Sequence, residues 1–254
     1  MTQRIKNSVK SVETAFSILD ALMELDGAGA TELATHFGMP KSTIHNYLST
    51  LHQEELVVKE GPTYQVGIRF LEYGAYARQR LKIFGIATPE VDKLAESTGE
   101  LANLMIEEHG RGSYLHRARG ENAVRVEAHV GTRVSLHSTA LGKAILAHLD
   151  ESRVEEIIDT HGLEQSTPNT ITDRETLYEE LAAIRERGLA FDDGERIRGL
   201  RCVAAPILSN NDRVLGAVSV SGPSNRVQGH YLEEELAQKL METVNVIELN
   251  VTYS

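Results

Sequence analysis

Tryptophan is absent from this 254-residue chain, and phenylalanine and tyrosine are few, so aromatic residues make up only 5 %. The single cysteine, Cys202, has no partner for an internal disulfide, which also excludes a structural zinc site built on several thiolates. No apolar run approaches the roughly 18 residues that a membrane-spanning helix needs, so no transmembrane segment is expected. The polar, basic start has no apolar stretch behind it, so no secretory leader is expected and a cytoplasmic protein is the default. Cations are outnumbered as well, 26 Lys and Arg against 37 Asp and Glu, a formal net charge of −11. Such a balance ordinarily argues against a nucleic-acid partner. The remaining composition, 41 % hydrophobic and 25 % charged, is that of a globular protein of one large or two modest domains.

The acid is unevenly placed. Residues 1–80 carry eight basic and nine acidic side chains and are nearly neutral; the remainder carries the excess. Two units with different partners are therefore expected, although a solvated acidic surface suited to a salt-rich cytoplasm accounts for the same excess. In the first unit, Val12, Phe16, Leu19, Leu22 and Met23 recur at helical spacing and Asp26-Gly27 ends the run. A short second helix is expected from an N-cap at Thr31 to the break at Gly38-Met39-Pro40. Pro40, at a first helical position, opens a third helix from Lys41 to about Glu54. There Ile44, Leu48 and Leu51 share one stripe, while Ser42, His45, Asn46 and Ser49 share another. Two β-prone runs around Gly61-Pro62 complete a hairpin.

Helix, short helix, turn, helix and hairpin together make a winged helix-turn-helix. Its third helix must bury one face and offer small polar side chains to base edges in the major groove. Asn bridges the N6/N7 edge of adenine, and Ser or His donates to acceptors such as guanine N7. The candidates for DNA contact are Thr31, Lys41, Ser42, Thr43, His45, Asn46 and Lys59, with Arg4, Lys6 and Lys10 as a basic arm. His36 and His52 read as plain surface histidines. Spacing alone does not separate this reading from three short helices that never meet DNA.

Beyond residue 67, Phe70, Tyr73, Ala77 and Leu81 keep helical spacing and predict a linker helix. Thr88-Pro89-Glu90 is expected to cap a further helix from Val91. Strands are expected on either side of Glu108-His109-Gly110, over Ala123–His129, from Cys202 to Leu208 and from Val214 to Ser221. Helices are expected over Thr139–His148, Arg153–His161, Arg174–Arg187 behind an Asp173 cap, and Tyr231–Val251. The whole is an α+β protein with an antiparallel sheet and helices packed on it.

Six ordered stretches carry a family likeness: Ser11-Val-Glu-Thr-Ala with Ile18-Leu19, Gly38-Met-Pro-Lys-Ser-Thr-Ile-His, Tyr64-Gln-Val-Gly-Ile-Arg-Phe-Leu-Glu, Leu136-His-Ser-Thr-Ala-Leu-Gly-Lys-Ala-Ile-Leu-Ala, Gly199-Leu-Arg-Cys-Val-Ala-Ala-Pro-Ile and Gly216-Ala-Val-Ser-Val-Ser-Gly-Pro. By these the chain resembles the IclR family of transcriptional regulators along nearly its full length. The resemblance implies a winged helix-turn-helix over 1–67, a linker helix over 68–86 and a GAF-like effector domain over 87–254. It implies homodimers or tetramers on a double-stranded operator, repressing or activating catabolic genes in response to an organic acid, sugar or aromatic catabolite. Carried over position by position, it places an effector pocket at Ala140, Leu141, Asp192, Cys202, Ser219 and Ser221. Ser219 and Ser221, two apart on a strand, project to one side, and a closed cleft with a few convergent polar groups suits a small acid or polyol. Each also has a plainer reading: serines facing solvent, a small core cysteine, and an uncertain choice between Asp192 and Asp193. The chain departs from the family pattern at Asn46, where many members carry Arg, which weakens a phosphate or guanine contact there.

Two other classes compete. An enzyme would use Ser138, Lys143, His137 or Cys202, but no nucleophile-elbow glycines flank the serines and Cys202 has no resolving partner. A constitutive architectural DNA binder would not need a sensing body as large as residues 87–254. A metal held by His109, His116, His129 and His137 is not expected, nor is any cofactor.

Overall fold

Helix α1 (Lys10–Glu24) is apolar on two faces. Ile18, Leu19, Ala21 and Leu22 are buried, whereas Val12, Phe16 and Met23, which share the helical spacing of Leu19 and Leu22, are exposed. Both sets have helical spacing, so periodicity alone did not choose between them; Ile18, on the buried side, sets the phase. Strand β1 (Ala28–Gly29) follows, and α2 (Ala30–Phe37) begins at a Gly29 cap. Thr31 is therefore inside the helix and is not the expected N-cap; no side chain caps α2. Gly38 ends α2 in the left-handed conformation at φ 60°, and the Met39 N–H bonds back to the Ala34 carbonyl at 3.0 Å. Pro40 stands one residue ahead of α3 (Lys41–Gln53), as its cap. The wing is β2 (Val57–Glu60) paired with β3 (Thr63–Val66) across Gly61-Pro62, and β1 adds a third strand through Ala28 and Tyr64. Ile18, Leu22, Leu33, Ile44, Leu48 and Val57 form this unit's core. Helix α4 (Phe70–Gln79) comes last, and Phe70 packs on that core.

The computed structural model describes residues 8–253, so Arg4 and Lys6 of the expected basic arm lie outside the described residues. The chain divides into two units after Arg78. The expected linker helix is not continuous: α4 ends at Gln79 and α5 (Lys82–Thr98) starts anew. Pro89 does not begin a helix but sits inside α5, where it leaves the Gly85 carbonyl without a helical donor.

In the second unit six antiparallel strands run in the order β6 (Arg133–Ser135), β5 (Arg111–Arg119), β4 (Leu101–Glu108), β9 (Val214–Pro223), β8 (Leu200–Leu208), β7 (Ala190–Asp193). Alternation along the strands builds two cores. Val203, Ala205, Val218 and Val220 face α5 and α9 (Ala237–Tyr253), which a π-helical turn (Tyr231–Leu236) precedes. Cys202, Ala204 and Ala217 face the other way, toward α6 (Ala140–Leu146), α7 (Glu151–His161) and α8 (Arg174–Arg187). Asp173 caps α8 by accepting from the Thr176 N–H at 2.9 Å, and Gly188 ends it, as expected. Ala123–His129 is not a strand. Its alternation is real, but no strand pairs with it; β5 pairs on that side with the unforeseen β6. The chain leaves β5 at Gly120, where a Cβ would stand 2.4 Å from the Ala95 carbonyl oxygen. Val126 instead covers a cavity on the α6 side of the sheet.

Candidate functional site

On α3, Ile44, Leu48 and Leu51 are buried, which turns Ser42, His45 and Asn46 outward to solvent. Thr43 is half-buried beside them. The Asn46 side chain makes no hydrogen bond among the described residues, so both its carbonyl and its amide are available to a base edge. His45 Nδ1 lies 3.3 Å from the Ser49 hydroxyl one turn on. Thr31, Lys41, His45 and Lys59 border one groove between α2, α3 and the wing; Ser42, Thr43 and Asn46 lie outside that groove on the same helix. Lys59 is held over the Tyr64 ring at 5.6 Å, which sets its ammonium at the wing's edge. The groove also holds Glu32, a charge that opposes phosphate.

The second site is built by strand register. Asp192 pairs with Cys202 and Cys202 with Ser221, making one row across β7, β8 and β9. Two residues along, Ala204 pairs with Ser219, Ser219 with Asn103 and Asn103 with Arg117. Rows two apart share a face, so both rows point at α6. There, with Ala140 and Leu141, they enclose a cavity of about 30 Å³, room for about two waters at roughly 10–15 Å³ each. All six effector-pocket candidates therefore line one cavity. Asp192 is the buried acid of its pair, while Asp193 is exposed and bound by Arg201 at 2.5 and 2.9 Å. Nine further lining residues went unforeseen, among them the polar Asn103, Tyr114, Arg117 and Arg196. Arg117 Nε donates to Asn103 Oδ1 at 3.0 Å, and Asn103 Nδ2 donates to Ser219 Oγ at 3.3 Å. Such a chain becomes visible only once the register is known. A wider cleft of about 530 Å³ adjoins the cavity and shares Val126, Arg196, Ile197 and Leu200 with it.

The cavity is electrostatically loaded. Burial, reinforced by the Glu195 carboxylate, pushes the Asp192 carboxyl up to about 7. The Glu195 N–H, which donates to Asp192 Oδ1 at 2.7 Å, offsets this only in part. Burial also pushes the Cys202 thiol up, so it is a neutral wall and not a nucleophile. Burial lowers the Arg117 guanidinium and raises the Tyr114 hydroxyl. Behind Asp192, Lys143 on α6 is 2 % exposed and its Nζ meets Glu195 Oε1 at 2.5 Å and Glu180 Oε1 at 3.5 Å.

An aspartate raised from 3.8 to about 7 binds a proton in the folded chain that the unfolded chain has released. Stability therefore falls as pH rises from about 4 to about 7 and levels off above. Asp192→Asn removes that loss. At about 1.4 kcal/mol per pH unit the gain is at most about 4 kcal/mol. The variant is expected to melt higher than the parent at pH 8 and nearly with it at pH 4. A melting difference that does not change with pH would contradict the assignment.

The groups considered for catalysis are not assembled. Ser138 Oγ donates to the Ser135 carbonyl at 3.2 Å, Lys143 is ion-paired, and burial lowers the His137 imidazole, which bonds the Glu164 carbonyl at 3.1 Å. His116 pairs with Asp92 at 2.7 Å and His129 Nδ1 with the Val130 carbonyl at 2.8 Å. Among the described residues no group of His, Cys, Asp and Glu is placed to hold a metal, and no helix is long and apolar enough to cross a membrane.

A winged helix-turn-helix with a polar outward face, followed by a sheet that encloses a polar cavity, defines a class: DNA-binding regulators with a domain for a small effector. Residues 11–61 match the IclR helix-turn-helix domain and residues 75–249 the family described as bacterial transcriptional regulator IclR C-terminal. The chain belongs to the IclR family of transcriptional regulators, a class that is not enzymatic. It is 39 % identical over 249 residues to a probable HTH-type transcriptional regulator ArcR of Halobacterium salinarum, covering 96 % of this chain and 94 % of that protein. The structure of Thermotoga maritima IclR aligns with a TM-score of 0.78 and 31 % identity over 95 % of this chain and 98 % of the other. An IclR homologue from Microbacterium hydrocarbonoxydans, solved in complex with 4-hydroxybenzoate, aligns with a TM-score of 0.76 at 24 % identity, covering 90 % and 92 %.

Proposed function

We propose that this regulator governs catabolic genes in the cytoplasm by binding a small organic effector between the two polar strand rows and α6, and that occupancy changes its affinity for an operator. Residues 1–67 read DNA through Ser42, His45 and Asn46, with Thr31, Lys41, Thr43 and Lys59 toward the backbone. Residues 68–86 relay the change, and residues 87–254 sense the ligand through Ala140, Leu141, Asp192, Cys202, Ser219 and Ser221. The observation that carries this reading is the burial of Asp192, Ser219 and Ser221, 4 %, 1 % and 3 % exposed, around one cavity. Asp192 takes one bond from the Glu195 N–H and Ser219 one from Asn103, and the hydrogen-bonding capacity each has left is what a ligand in the cavity would use. The relative bound to 4-hydroxybenzoate supports a small organic acid as effector.

A homodimer completes the reading. Val12, Phe16 and Met23 on α1 are 52 %, 58 % and 61 % exposed, and Leu71 and Tyr76 on α4 are exposed too. Large apolar side chains left exposed on one helix face are what an interface covers, and two recognition helices match two half-sites a helical turn apart. The reading is tested by a thermal-shift screen of small acids, sugars and aromatic catabolites. A ligand at a hundred times its Kd is expected to add about 2.7 kcal/mol and raise the melting point by several degrees. Ser219→Ala with Asp192→Asn is expected to abolish that shift while leaving operator binding intact. An unchanged shift in the double variant would remove the effector from this cavity.

A further inference from the structure

The Ser49 hydroxyl on α3 behaves unlike its neighbours. Thr14, Ser17, Thr35 and Thr50 each donate to the carbonyl four residues back, at 2.9, 3.0, 3.1 and 3.0 Å, a common bond of hydroxyls within helices. Ser49 makes no bond to a carbonyl among the described residues; its Oγ lies 3.3 Å from His45 Nδ1. The other ring nitrogen, His45 Nε2, makes no hydrogen bond among the described residues, and the ring is exposed on the same outward face as Ser42 and Asn46.

A neutral imidazole carries one proton, and the bond made at one nitrogen fixes which of the two holds it. With the proton on Nε2 the outward nitrogen donates; with the proton on Nδ1 it accepts. The two forms read opposite bases. In the major groove guanine offers N7 and O6, two acceptors and no donor, whereas cytosine offers only its amino donor. A ring without a fixed partner serves either base. If Ser49 accepted from an Nδ1–H, its own proton would turn to the His45 carbonyl, the bond that Thr50 makes to Asn46 and Ser49 does not make to His45. The acceptor left to it within the helix is Nδ1, which puts the ring proton on Nε2.

We propose that His45 reads a guanine by donating from Nε2 to N7 or O6, and that Ser49 is the positioning residue that holds the ring in this form by donating to Nδ1. This rests on residues 1–67 reading DNA through α3, and it adds the base and the residue behind its reader. Asn46, with both ends of its amide unused, is left for an adenine edge. The rival role for His45 is a phosphate contact, because it borders the groove shared by Lys41 and Lys59. A phosphate contact carries no sequence information, so the two roles separate when base pairs are changed one at a time.

The test uses the full chain and a duplex that it has selected from a random pool. Each base pair in turn is changed to the other three, and anisotropy competition at fixed salt compares the parent with His45→Ala and Ser49→Ala. The parent is expected to prefer guanine over cytosine at one pair by about 5- to 150-fold, the ordinary range for one base pair. His45→Ala is expected to flatten that pair to within about twofold and to leave preferences elsewhere in place. Ser49→Ala is expected to narrow the same preference by about three- to tenfold, with little loss on the guanine duplex. Both side chains are exposed, so both variants are expected to melt with the parent. Long-range proton–nitrogen correlation spectra of the chain at pH 8, with His45 assigned by its loss in His45→Ala, are expected to show Nε2 protonated in the parent and a mixture of the two forms in Ser49→Ala. An equal loss on every duplex in His45→Ala would make His45 a phosphate contact and overturn the proposal. A flattened pair other than guanine would overturn the base assignment, and a parent ring protonated on Nδ1, or a Ser49→Ala variant with unchanged preference, would overturn the role of Ser49. If Ser42→Ala with Asn46→Ala still erased discrimination in any of these cases, the reading of DNA by α3 would stand and only this inference would fall; if that variant kept it too, the reading itself would fall.

Discussion

Lys143→Met is expected to destabilise the effector domain by about 3–5 kcal/mol, the usual result of removing one partner from a buried ion pair. The methionine fills nearly the same volume, so packing is not what is lost. What is lost is the ammonium 2.5 Å from Glu195 Oε1. The other Glu195 oxygen is buried and has no hydrogen-bond partner, so no nearby group compensates the carboxylate left behind. Glu195 also anchors its surroundings: its backbone carbonyl accepts from the Thr170 hydroxyl at 2.5 Å and the Thr167 hydroxyl at 3.1 Å, and its N–H holds Asp192. Effector affinity is therefore expected to fall along with stability. Adding Glu195→Leu removes the orphaned charge and is expected to recover much of the stability. Urea melts of the parent, the single and the double variant decide this. A single variant within about 1 kcal/mol of the parent would show that the pair does not hold the fold.

Ser42→Ala with Asn46→Ala is expected to lower specific operator affinity by about 2–4 kcal/mol, roughly 30- to 1,000-fold, and to leave the melting temperature near that of the parent. Both side chains are exposed while Ile44, Leu48 and Leu51 between them carry the packing, which is why binding and stability separate here. The assay is anisotropy titration at fixed salt on a duplex selected by the wild type from a random pool, with a scrambled duplex as control. The specific affinity is expected to fall toward the non-specific value, which phosphate contacts maintain. Retained discrimination between the two duplexes would displace base readout from this helix face.

Local chemistry made much of this architecture legible. The Gly38-Met39-Pro40 break, the Asp173 cap, the Gly188 stop and the apolar runs of β8 and β9 each act over a few residues, and each appears where expected. The failures were of another kind. Val12, Phe16 and Met23 have the same periodicity as the buried face of α1, and only the positions of α2 and α3 decide which face is covered. Ala123–His129 alternates as a strand does but finds no pairing edge. Pro89 reads as a helix start, yet α5 runs through it, held by Ala87, Val91 and Leu94 in the core. Asn103 and Arg117 reach the cavity only because β4 lies between β5 and β9 in one register. Pairings that join residues more than a hundred positions apart leave no trace in local spacing.

The link between the cavity and the DNA-reading helix is tested most directly by one titration. The affinity of the full chain for its selected duplex is measured with and without a saturating effector found by thermal shift, in the parent and in Ser219→Ala with Asp192→Asn. A change of about 5- to 150-fold is expected in the parent, the range of ordinary coupling between two sites, and none in the variant. An effector that binds the parent tightly yet leaves its operator affinity unchanged would contradict the account.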